Sequence, residues 1–154
     1  MSTQELANDP TWVQICQAAA LDPQRRFASR QAVLTSPVAL EATLYRGDED
    51  DPDAEEEDLG DARVLITGTF QPPTEWSAEE RADYYDGSDP EEFFSALIEC
   101  IAAPASRAYF TAEAGDQVAV STAEGAIQMY YLYEIFEDED GHHAVLIRDT
   151  EAFI

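Results

Sequence analysis

The chain predicts an α+β fold: one domain over residues 1–154, with an antiparallel sheet of five to six strands packed with N-terminal and central helices. Three observations predict it. Two Asp-Pro pairs near the start, Asp9-Pro10 and Asp22-Pro23, are helix openings, with aspartate as N-cap and proline at the first helical position. Two dense apolar runs, 38–46 and 62–70, read as strands. From residue 107 onward, short alternating runs separated by glycine turns form a β-meander. Helices segregated from consecutive antiparallel strands mark the α+β class.

The elements follow in order. Trp12, Ile15, Cys16 and Ala19 share one face at i, i+3, i+4, i+7, so a helix follows Pro10. A second short helix runs from Pro23 to about Ser29; the Ala32-Val33-Leu34 triplet after it is too short to assign. In 38–46, Val38, Leu40, Ala42 and Leu44 alternate with polar neighbours. Residues 48–61 hold ten acids and a proline, and 47–61 is expected to be an acidic, mobile loop, longer than a hairpin needs. Val64, Leu65 and Ile66 in the next strand suggest burial on both faces. Ser77-Ala78-Glu79-Glu80 has capping-box spacing and opens a short acidic helix that Asp86-Gly87 ends. Asp89-Pro90 with Glu91 and Glu92 then predicts the clearest helix of the chain, with Phe93, Phe94, Leu97, Ile98 and Ile101 as its apolar face and Pro104 past its end. Strands are expected over 107–113, 117–122, 126–137 and 143–149, the last two joined through Glu139-Asp140-Gly141. In the longest, Tyr131 and Tyr133 fall on one face and Tyr130, Leu132 and Glu134 on the other.

Charge is the strongest functional signal. There are 33 acids, eight arginines, no lysine, and a net charge of -25. Residues 1–46 carry four acids and four arginines and are neutral, so residues 47–154 hold the whole excess. Concentrated like charge opposes folding and points to a partner or to the solvent. Nucleic acid and anionic membranes would be repelled, and no apolar run is long enough to span a bilayer. MSTQELANDP lacks the basic and apolar regions of a secretory signal, so a cytoplasmic location is expected. Cys16 and Cys100 are too few for a disulfide framework and read as free, buried thiols in predicted helices.

Specific chemistry finds no foothold. An EF-hand frame with Gly141 at position 6 puts Phe136 at position 1 and Ile147 at position 12, where oxygen ligands are required. His142 and His143 point to opposite sides of a strand and read as surface turn residues. No Gly-x-Ser-x-Gly, Cys-x-x-Cys, His-x-x-x-His or phosphate loop occurs. Neither a catalytic set, nor a metal site, nor a cofactor is expected.

Aromatic residues among acids are more suggestive, because Trp and Tyr anchor interfaces while carboxylates engage Arg or Lys. The candidate partner-binding residues are Trp76, Glu79, Glu80, Asp83, Tyr84, Tyr85, Asp86, Asp89, Glu91 and Glu92. The simpler reading places Trp76 and one tyrosine in the core. Asp48, Glu49, Asp50, Asp51, Asp53, Glu55, Glu56, Glu57 and Asp58 would steer a cationic partner, and Glu137, Asp138, Glu139 and Asp140 form a secondary patch. In size, acidity, single α+β domain and lack of a signal, the chain resembles the small immunity proteins of bacterial toxin–immunity systems, without any family motif. That resemblance implies non-catalytic, stoichiometric inhibition of a basic toxin, such as a nuclease or deaminase, by covering its cationic site. Two alternatives share the composition: a DNA mimic that inhibits a nucleic-acid-binding protein, and halophile-type solvent adaptation. The clustering of the acids fits adaptation less well.

Overall fold

The computed structural model describes residues 7–48, 50, 51 and 53–149; Glu49 lies outside them. Helix α1 (Pro10–Ala18) and helix α2 (Pro23–Leu34) open the chain, each capped by the aspartate expected. Asp9 accepts from the Thr11 and Trp12 amides, and Asp22 from that of Gln24. Helix α2 runs past Ser29 and absorbs the unassigned Ala32-Val33-Leu34 triplet, with Val33 buried. Strands β1 (Leu40–Arg46) and β2 (Glu57–Thr69) follow, then helix α3 (Ala78–Tyr85) and a single 3-10 turn at Pro90–Glu92. Strands β3 (Phe93–Cys100), β4 (Gln117–Ser121), β5 (Ile127–Asp138) and β6 (Gly141–Asp149) complete the fold.

The α+β class and antiparallel pairing hold, and six strands lie among the described residues, but the sheet is not open. The order β1-β2-β3-β6-β5-β4 closes into a barrel because β1 pairs with β4 as well as with β2. Closure leaves no sheet edge to pair with another chain. A barrel this narrow has little room inside, and its interior mixes Ala42, Ala62, Ala96 and Ala144 with Leu44, Val64, Ile98, Leu132 and Leu146. The long strands β2 and β5 bend around it through irregularities in pairing, between Ile66 and Gly68 and between Leu132 and Glu134.

Three sequence expectations are corrected. The helix expected after Pro90 is only the 3-10 turn; its start signal is real, since Asp89 accepts from the Glu91 amide. Residues 93–100 are instead strand β3, paired on both sides with β2 and β6. Phe94, Ala96 and Ile98 face the interior, while the outward Phe93 and Glu99 are buried under other parts of the chain. Apolar character on both faces hides the period of two that would mark a strand. The strand expected over 107–113 is irregular chain. Phe110 and Ala112 pack against the interior cluster, and Phe110 lies 3.2 Å from where a Cβ on Gly60 would sit. Gly60 has φ +130°, so this close crossing suits glycine on both counts. Finally, β2 begins at Glu57, so the acidic connection is shorter than 47–61 and Glu57, Asp58 and Asp61 belong to a strand.

Antiparallel order sets which connections meet. The β1–β2 connection and the β5–β6 hairpin lie at one end of the barrel, here the upper end. The β2–β3 connection, which contains α3, starts from the lower end. Helices α1 and α2 form a satellite core of Ala7, Trp12, Cys16 and Phe27, and α2 packs on the outer face of β3. Cys16 and Cys100 are free and buried, and Cys100 ends a strand rather than lying in a helix. Burial pushes the Cys16 thiol up to about 11, which keeps it unreactive.

Candidate functional site

Helix α3 is built from a local signal and a tertiary clamp. Its capping box is complete: the Glu80 amide donates to Ser77 Oγ at 3.1 Å and the Ser77 amide to Glu80 Oε1 at 3.3 Å. Asp86, at φ 46°, closes it in the left-handed conformation. Arg81, Tyr84 and Tyr85 turn toward the barrel at i, i+3, i+4, while Glu79, Glu80 and Asp83 face solvent. The Tyr84 ring stacks on Phe70 at 5.1 Å and meets Trp76 at 5.3 Å and Tyr133 at 5.1 Å. Its hydroxyl donates to Glu134 Oε2 at 2.7 Å, and the Tyr133 hydroxyl donates to the Tyr84 carbonyl at 2.6 Å. Burial and the Glu134 carboxylate both push the Tyr84 hydroxyl well above its ordinary range.

This clamp depends on the irregularity in β5. Strict alternation sets Glu134 opposite Tyr133. The extra residue between Leu132 and Glu134 keeps Leu132 and Ile135 inside and brings Tyr133 and Glu134 together on the outside. Tyr130 and Leu132 take the interior face and Tyr131 the exterior, as the alternation implies.

The candidate contact residues therefore divide. Tyr84 and Tyr85 hold the helix to the barrel, Tyr85 packing edge-on to Phe93 at 4.8 Å. Glu92 receives both Nε and Nη2 of Arg148, at 2.6 and 3.1 Å, and its negative charge is already paired. The Arg148 guanidinium also covers the Phe94 ring at 5.3 Å. Glu79, Glu80, Asp83, Asp86, Asp89 and Glu91 are exposed, and Trp76 is half-buried beside Glu80 and Asp83.

Next to Trp76 an apolar groove of about 460 Å³ runs along the outer face of β2, β3, β6 and β5. Leu97 and Val145 line it, Phe70, Pro73 and Trp76 stand at the α3 end, and Phe136 and His143 at the other. Phe136 is 57% exposed and stacks on His143 at 4.8 Å with planes 16° apart. His143 Nε2 lies 2.8 Å from Asp138 Oδ1. Glu134 also lines the groove; its second oxygen, Oε1, has no hydrogen-bond partner among the described residues. The groove thus joins the acids of α3 to those of the β5–β6 hairpin.

The remaining acids lie elsewhere. The 48–56 connection sits at the upper end, over a polar hollow lined by Arg46, Asp48, Glu56, Glu113 and Tyr131. Asp48 and Asp51 accept from the amides of Asp50 and Asp53, forming local turns. Asp53, Glu55, Glu56, Glu57 and Asp58 are exposed. The acidic segments therefore divide by neighbourhood: the α3 segment and the hairpin flank the groove, while 48–56 lies over the separate polar hollow beside Arg46, Asp116 and Tyr131.

Sequence reasoning missed a buried ionic cluster. Arg26 is fully buried, with Nε 2.8 Å from Glu137 Oε2 and Nη2 2.8 Å from Glu99. His142 is not a surface turn residue: its side chain is 12% exposed, with Nε2 3.2 Å from Glu137 and Nδ1 3.0 Å from Arg26 Nη2 and 3.7 Å from Glu99. The neutral ring accepts from Arg26 Nη2 at Nδ1, while Glu99 Oε1, at 3.7 Å, attracts the charged ring without a hydrogen bond. Burial alone would lower the His142 pKa; the carboxylates of Glu137 and Glu99 outweigh it and raise it to about 9. Burial opposes ionisation of Glu137 too, but His142 and Arg26 prevail and hold it at about 2. Glu137 therefore belongs to the fold rather than to a surface patch, whereas Asp140 is exposed. The available clue was a glutamate, Glu99, set between Ile98 and Cys100 in an apolar run.

Arginine use elsewhere follows the same pattern. Arg30 donates to the Cys100 and Ala102 carbonyls, Arg63 to those of Ser36 and Ala39, and Arg81 to that of Pro73. Arg46 grips Asp116 through Nε and Nη2 at 2.8 and 2.9 Å. With Arg26 and Arg148, six arginines are tied into the fold, leaving Arg25 and Arg107 exposed without an ion pair among the described residues. Among those residues no three His, Cys, Asp or Glu side chains converge as a metal site. No protein-family description, curated protein or solved structure matches this chain.

Proposed function

We propose that this chain is a non-catalytic binding protein that neutralises a basic protein partner, in the manner of an immunity protein covering the cationic active site of an enzyme that acts on nucleotides or nucleic acids. One observation carries the reading. Six of the eight arginines are tied into the fold, and among the described residues no ion pair reaches the exposed carboxylates Glu79, Glu80 and Asp83 of α3. Beyond the Glu80 cap on Ser77 the fold gains little from so many exposed like charges, because they repel. A cationic surface gains from it in two ways. The field speeds encounter, and a helix fixed by a capping box and an aromatic clamp presents its acids with little left to order. The reading gives α3 and the hairpin contact roles and the 48–58 acids a steering role.

The test begins with affinity capture from the host and continues with the purified partner. Stoichiometric inhibition that weakens as salt rises is expected. The double substitution Glu79→Lys, Asp83→Lys should slow association by about tenfold or more at low salt, since both residues lie on the exposed face of α3. A partner without a cationic surface, or inhibition that this double substitution leaves unchanged, would overturn the proposal.

A further inference from the structure

We infer that the outer groove between α3 and the β5–β6 hairpin is a docking site for an arginine-bearing segment of a protein partner. The inference rests on the reading of the chain as a binder of basic proteins and names the part of the partner that anchors.

The lining carries the argument. An arginine side chain has an apolar stem and a flat, permanently charged end with a fork of donors. Leu97 and Val145 offer apolar contact for the stem. Trp76 stands at one end and the exposed ring of Phe136 at the other, and both are faces on which a guanidinium stacks. Glu134 supplies the carboxylate. Tyr84 holds it at Oε2 and leaves Oε1 to accept a further donor, so the acceptor is already positioned before any partner arrives. His143, hydrogen-bonded to Asp138, backs the Phe136 ring and fixes its plane.

Charge chooses between occupants. A carboxylate inside the groove disfavours a fatty acyl chain, whose burial would leave that charge without a partner. The acids outside it, Glu80 and Asp83 beside Trp76 and Asp140 at the hairpin, favour a segment with more cations on either side of the anchor. A second copy of this chain is disfavoured by the same acids, since two such faces would repel. Lysine fits less well than arginine because an ammonium neither stacks flat nor forks. A volume of about 460 Å³ suits a few side chains of an extended segment.

The experiment titrates the full chain at 150 mM salt with three capped pentapeptides carrying arginine, lysine or leucine at the centre, followed by backbone amide, methyl and indole NMR. Shifts concentrated at Leu97, Val145 and Trp76 are expected, with arginine about fivefold or more tighter than lysine. Glu134→Gln, which keeps an acceptor for the Tyr84 hydroxyl, and Phe136→Ala, at an exposed position, should each weaken the arginine peptide by about fivefold or more. Four results would overturn the inference: shifts spread over the 48–58 acids, equal binding of lysine and arginine, tightest binding of the leucine peptide, or self-association in sedimentation that Phe136→Ala abolishes. The same variants separate this inference from the broader proposal. Inhibition of the captured partner that responds to Glu79→Lys, Asp83→Lys but not to Glu134→Gln or Phe136→Ala rejects the groove alone. Inhibition that responds to none of them rejects both.

Discussion

Replacing His142 by glutamine keeps the hydrogen bonds of the neutral ring and removes the charge it can carry. The glutamine carbonyl can accept from Arg26 Nη2, as Nδ1 does at 3.0 Å, and the amide can donate to Glu137, as Nε2 does at 3.2 Å. The folded imidazole titrates at about 9, against an ordinary value of 6.5. A raised folded pKa stabilises fully below the unfolded value, and the contribution disappears as pH climbs from 6.5 through 9. That interval corresponds to about 3 kcal/mol. Urea unfolding of both proteins between pH 6 and pH 10 isolates the effect, because titration of the tyrosines and of Cys16 cancels in the difference. Wild type should exceed His142→Gln by about 3 kcal/mol at pH 6 and by less than about 0.5 kcal/mol at pH 10. For a chain of this length the low-pH gap is about 6–12 °C in Tm. A difference that stays the same across the range means that the ring has the same pKa in the folded and unfolded chain, and the electrostatic argument fails.

Other measurements address the rest of the molecule. Arg26→Met leaves Glu99 and Glu137 with only His142, and should lower stability by about 3–5 kcal/mol in urea; the double substitution Arg26→Met, Glu99→Leu should cost less than the single one, because it also removes a buried charge. A larger loss in the double variant would show that the pair is a net stabiliser. With a charge of -25 and few surface cations, Tm should rise between 10 mM and 1 M salt by several degrees from screening, yet the protein should already be folded in dilute buffer. A circular dichroism spectrum that becomes structured only in molar salt would instead assign the acidity to solvent adaptation.

Local signals survived folding wherever a few neighbouring residues suffice. The aspartate caps of α1 and α2, the capping box of α3 and the Asp140-Gly141 hairpin all stand as the residues imply. Where a tertiary partner outweighs a local preference, the reading fails. Asp89-Pro90-Glu91-Glu92 opens a helix that β2 and β6 convert into a strand after one turn, and Phe110 leaves its expected strand to pack over Gly60. Within the candidate site, the exposed acids of α3 were legible because charge excess survives in composition. The groove was not, since its walls come from β2, β3, β6, β5 and the chain between β2 and α3, which meet only once strands distant in sequence have paired.

The one-dimensional chain by itself determined the charge imbalance, the helix starts, the antiparallel class and the turn positions, all set by residues close together. Only the tertiary structure decided that the sheet closes, that Glu134 turns outward to meet Tyr84, that His142 sits between two carboxylates, and that the acids of α3 and of 48–56 border different hollows. Strand alternation is the same in an open and a closed sheet. Register and closure come from pairings between residues far apart, and a single extra residue in β5 reverses which side chains face solvent.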